Sequence, residues 1–172
     1  MKSKSSTFFV SLIMISTLGT VVACALYYGL RSFFHHSPFA CPFYRCWPYW
    51  DWYPFPYLVA LSVSLALVSS VWLVYISPRY MKYQRIQIAV LPILALLLAG
   101  LVSGLIWTYH DMREGYFPGL SLAAYYMKSM AFSGLFNAPL VAVYSFPLNI
   151  LGWLASYSIV AITKERLSAN IR

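Results

Sequence analysis

The sequence predicts an all-α fold, a bundle of four transmembrane helices, and three observations predict it. Four long runs, residues 8–30, 54–77, 88–109 and 138–162, contain no Asp, Glu, Lys, Arg or His. All twelve Lys and Arg residues fall between or beyond these runs. The runs are continuously apolar, which selects helices over the strands of a membrane barrel, where apolar and polar residues alternate over about ten positions. At about 1.5 Å per residue each run extends about 33–37 Å as a helix, enough to cross a hydrocarbon core of about 30 Å with some tilt.

Composition points the same way. A chain of 172 residues that is 61% hydrophobic and 9% charged has too few charges to coat a soluble globule. Residues 1–172 are therefore read as a single membrane domain whose first partner is the lipid bilayer. A net charge of +8 would suggest nucleic acid in a soluble protein. Here the cations flank apolar spans, where their ordinary role is orientation, so no nucleic-acid partner is expected.

The first run, 8–30, is preceded by Lys2 and Lys4 and stopped by Arg31. Val21-Val22-Ala23-Cys24 also fits, loosely, a lipoprotein signal processed at Cys24. Such a signal would continue into a polar tether, whereas residues 25–30 stay apolar. The reading adopted is an uncleaved first helix containing Cys24.

The loop at 31–53, with its extension to Tyr57, is rich in aromatic residues and is interrupted by Pro38, Pro42, Pro48, Pro54 and Pro56. It is too apolar for free solution and too proline-rich to span, so it is expected to cap the bundle at the headgroup level. Cys41 and Cys46 within it are spaced to permit a disulfide, and free thiols or a redox pair remain as alternatives. Thiol relay in four-helix quinone-linked oxidases needs a second external Cys pair, and here only Cys24 is left. His35, His36 and His110, with Cys41 and Cys46, are the candidate ligands for a soft metal ion such as copper, and a histidine-ligated haem is a further alternative. Because no recognised ligand spacing joins them, neither a metal nor a cofactor is expected.

The second and third runs carry small residues at helical spacing: Ser62, Ala66 and Ser70, then Ala95, Ala99 and Ser103 beside Gly100 and Gly104. Small residues let helix backbones approach closely, which drives association where lipid removes the hydrophobic effect. The fourth run adds Gly152 and Ser156, and it contains Pro147 and the polar Asn149. Pro147 predicts a kink, since it cannot donate to the carbonyl four residues back. Asn149 is expected to bond within that helix or across to a serine. Ahead of this run, the loop 110–137 contains an apolar stretch from Tyr116 to Phe136, punctuated by Pro118, Gly119 and Lys128, which reads as an interfacial segment.

Cation placement predicts orientation. Lys2, Lys4, Arg79, Lys82, Arg85, Lys164, Arg166 and Arg172 fall on one side, in the N-terminus, the loop 78–87 and the tail 163–172. Arg31, Arg45, Arg113 and Lys128 fall on the other. The positive-inside rule places both termini and 78–87 in the cytoplasm of a cell-membrane protein. Tyr75, Tyr80 and Tyr83, and Trp107 and Tyr109, stand at the two expected interfaces. No ionisable side chain lies at membrane depth, which argues against ion-coupled transport. The function expected is a non-catalytic membrane subunit or accessory protein that docks onto other membrane subunits. A small carrier, channel or immunity-type protein for an uncharged or apolar solute, and an external thiol or metal redox protein, are the alternatives.

Overall fold

Long apolar segments without internal charge become helices because a helix satisfies its own backbone within the segment. The computed structural model describes residues 4–34, 54–76, 83–113, 115 and 120–169, and all regular structure among them is helical. The helices are α1 (Lys4–Phe34), α2 (Pro54–Val71), α3 (Gln84–Arg113), α4 (Leu120–Tyr144) and α5 (Leu148–Ala169), and α2 continues into a π-helical turn at Trp72–Ile76. Among the described residues, three segments are long and apolar enough to cross a membrane: Lys4–Phe33, Phe55–Ile76 and Gln84–Arg113. The predicted runs 8–30 and 88–109 lie inside α1 and α3, and 54–77 follows α2 and its π turn to Ile76.

The fourth run differs. Residues 138–162 do not form one kinked helix, because α4 ends at Tyr144, a turn occupies 145–147 with a cis Phe146–Pro147 peptide, and α5 begins at Leu148. The described part of 110–137 is mostly helix rather than loop. Residues 110–113 complete α3, and 120–137 belong to α4, which is seated lengthwise on α3. The reason is a match of small residues: Gly134 and Ala138 of α4 face Gly100 of α3, and Met130 and Ala131 face Gly104.

Pairwise contacts set the directions. Ser11 meets Ser70 and Gly19 meets Ser62, so eight residues up α1 correspond to eight residues down α2. Gly100 with Gly134 and Gly104 with Met130 make α3 and α4 antiparallel in the same way. α5 packs on α1 and α3, and does not lie back along α4 among the described residues. Ile15, Leu65, Ala66, Trp72, Ile88, Leu91, Ala95, Ile159 and Val160 form the shared core of α1, α2, α3 and α5. Many other large apolar side chains face outward on every helix, among them Phe9, Ile13, Val21, Val63, Leu67, Ile93, Phe136 and Leu154.

Candidate functional site

Among the described residues the chemistry-bearing side chains are dispersed. Cys41, Cys46, His35 and His36 lie outside the described residues. His110 sits exposed near the C-terminal end of α3, with its Nδ1 3.8 Å from the carboxylate of its neighbour Asp111. Cys24 is a free, half-buried thiol in α1. Among the described residues no group of three or more His, Cys, Asp or Glu gathers to hold a metal ion.

What the helices do bring together is a set of polar and glycine contacts, each where a sequence feature permits it. Between α1 and α2, Ser11 Oγ donates to Ser70 Oγ at 2.9 Å, and both residues are fully buried. Ser62 Oγ donates to the carbonyl of Leu58 at 2.8 Å, and a Cβ added at Gly19 would stand 3.3 Å from the Ser62 Cβ. Ala66 is fully buried on the same helix. Ser69 is also fully buried, and its hydroxyl has no hydrogen-bond partner among the described residues.

The α3–α4 contact is closer. A Cβ at Gly100 would lie 2.6 Å from the Gly134 carbonyl oxygen, and one at Gly104 would lie 2.5 Å from the Met130 carbonyl carbon. Only glycine allows two backbones to approach this far. Ala99 and Gly104 are buried, Gly100 and Ser103 are half-buried, and Thr108 Oγ1 donates to the Gly104 carbonyl at 3.0 Å. Gly152 is different, since nothing lies within 4 Å of the position its Cβ would take. It makes no close helix contact, and Ser156 beside it is only half-buried.

The first turn of α3 joins three helices. Gln87 Oε1 accepts from the Trp72 indole Nε1 at 2.9 Å, which ties it to the π turn. Gln84 Oε1 accepts from Lys164 Nζ of α5. One turn further along, Trp153 Nε1 of α5 donates to the Ala89 carbonyl at 3.0 Å. Ala89 lies one turn before Pro92 of the same helix.

Asn149 works at the α4–α5 break. Its Nδ2 donates to the Ala142 carbonyl near the end of α4 at 2.8 Å, and its Oδ1 accepts from the Ile150 amide at 2.7 Å. One amide side chain thus serves a carbonyl of the ending helix and an amide of the starting one, the groups a broken helix leaves without internal partners. Of its two expected partners, helix or serine, it uses the backbone on either side of the break.

The sequence alone does not single out Gly19, Gly134, Gln84, Gln87 or Trp153. Gly134 and Ala138 repeat the four-residue spacing of small residues that marks α3, and Ser11 and Gly19 share one face of α1, so both seams carried a readable signal. The glutamines and Trp153 carried none, because their partners lie on helices distant in the chain. The chain matches no protein family, no curated protein sequence and no solved structure.

Proposed function

We propose that the chain is a multi-pass protein of the cell membrane with both termini cytoplasmic, acting as a non-catalytic subunit or accessory protein docked onto a larger membrane complex. In this reading α1, α2 and α3 cross in turn, and α4 with α5 forms the fourth, broken crossing. The observation that carries it is the outer face of α4. Phe132, Phe136, Leu140 and Val143 follow one another at helical spacing and are all exposed, while the opposite face of α4 is seated on α3 and along no other helix among the described residues. The interior supports the same reading. Among the described residues its buried polar side chains are serines and threonines, most of them bonded within a helix or to a neighbouring helix, which is the chemistry of helix association rather than of turnover.

A photo-crosslinking residue placed at Phe136, and separately at Val143, in intact membranes should yield the same discrete adduct with one partner chain. Placed at Phe9, on the outer face of α1, it should capture lipid alone. Capture of lipid alone at all three positions would overturn the subunit reading.

A further inference from the structure

The end of the bundle where α1 and α3 begin and α5 finishes concentrates positive charge. Ser11 against Ser70, Trp72 against Gln87, and Lys164 against Gln84 bring the start of α1, the end of the π turn, the start of α3 and the last turns of α5 to that one end. Among the described residues it carries Lys4, Arg85, Lys164 and Arg166, opposed by Glu165. Lys4, Arg85 and Arg166 are exposed, and among the described residues none of the three has a carboxylate within ion-pair distance. Lys164 is held by the neutral amide of Gln84. Exposed rings stand beside them, Tyr75 on the π turn and Tyr83 at the foot of α3.

The position of Arg85 sharpens the point. It lies in the first turn of α3, a turn with no acidic residue, as is the first turn of α1 that contains Lys4. The field of a helix start favours anions and disfavours cations. Arginine and lysine there are compensated when an external anion sits against the helix ends. Tyrosines at the same level seat that end where acyl chains meet headgroups. Phosphate is the anion present at that depth, and clustered cations at helix ends are what anionic lipid headgroups recognise.

We propose that this end of the bundle binds the headgroups of anionic phospholipids, with Lys4, Arg85 and Arg166 as its phosphate-facing cations. The inference does not depend on whether a partner subunit covers α4, because the two surfaces lie on different parts of the fold.

The test uses the full chain in a mild neutral detergent, titrated with phosphatidylglycerol or with phosphatidylcholine of the same acyl chains. Bound lipid is read by native mass spectrometry and stabilisation by thermal unfolding. Phosphatidylglycerol should be retained and should raise the unfolding temperature at lower lipid fractions than phosphatidylcholine, and the difference should shrink at high salt. Replacing Arg85 and Arg166 together by Gln should weaken the apparent affinity for phosphatidylglycerol by roughly fivefold per arginine, the ordinary contribution of a cation near an anionic surface. Arg113→Gln with Lys128→Gln, away from this end, should leave it unchanged. Equal retention of the two lipids, equal loss in both double variants, or a full stabilisation by inorganic phosphate alone would each overturn the proposal. Arg85 and Arg166 are exposed, so their variants keep the fold, and unfolding in the absence of added lipid checks this directly.

Discussion

Glycines in this chain look alike in the sequence and behave differently in the fold. At Gly104 the atoms in the way belong to the backbone of α4, namely the Met130 carbonyl and the Ala131 Cα at 2.9 Å, and a backbone cannot swing aside as a flexible side chain can. Gly104→Ala should therefore force α3 and α4 apart and destabilise the bundle by about 1–3 kcal/mol, the usual range for overpacking. At Gly152 there is open space, so Gly152→Ala should be neutral or stabilising by about 0.4–1 kcal/mol through helix propensity and a less flexible unfolded chain. Reversible unfolding of both variants in mixed micelles measures the contrast. Equal destabilisation by the two substitutions would show that the close approach at Gly104 is not what holds α4. The same comparison shows where residue-level reading runs out. A small residue at helical spacing reports that a close approach is permitted, and only the neighbouring helix decides whether one is made. Gly100 and Gly104, whose spacing is also that of intermolecular helix pairs, are occupied by Gly134 of the same chain.

At the scale of elements, α1, α2 and α3 were legible because each is apolar all round and ends at cations. The cations mark the end of the apolar run rather than of the helix, so α1 begins at Lys4 and α3 runs from Gln84 to Arg113, each past the predicted run. α4 was not legible. Lys128, Gly134 and Asn137 interrupt its apolar character, and a helix that buries one face on a neighbour needs only a stripe of apolar residues, not a continuous run. The division between α4 and α5 was half legible, since Pro147 announced a disturbance but not its extent. Asn149 decides how well that division is tolerated. Asn149→Leu keeps the volume but removes the closer of the two donors to the Ala142 carbonyl, leaving Ser145 Oγ at 3.1 Å, and should cost about 0.5–1.5 kcal/mol, the net value of one hydrogen bond. Asn137→Leu is the matched control, because Asn137 reaches only Ser133 on its own helix, at 3.3 Å and in an exposed position. Chemical unfolding of the two variants in micelles should separate them clearly. If Asn149→Leu is as mild as Asn137→Leu, the amide is incidental to the break.

For the whole molecule, the direction of insertion and the arrangement of the helices make one joint prediction. The antiparallel pair α1–α2, with Trp72 of the π turn that follows α2 bonded to Gln87 at the start of α3, brings the N-terminal ends of α1 and α3 together, and Lys164 on Gln84 brings the last turns of α5 to the same end. If cations orient the chain, that end faces the cytoplasm, and the far ends of α1 and α3, at Arg31 and Arg113, face outward. Single cysteines at Ser5 and Arg166, in a chain with its three native cysteines replaced, should then be shielded from a membrane-impermeant thiol reagent in intact cells and react once the membrane is opened. A cysteine at Arg113 should react in both states. The helix contacts tie the three positions to two ends of one body, a constraint that charge counts in loops lack. Inversion of the whole pattern would leave the fold intact and refute only the orientation. A split, with Ser5 shielded and Arg166 reactive in intact cells, would instead mean that α4 and α5 together do not complete a fourth crossing, and would leave the three helices α1 to α3 as the only membrane-spanning part of the described fold.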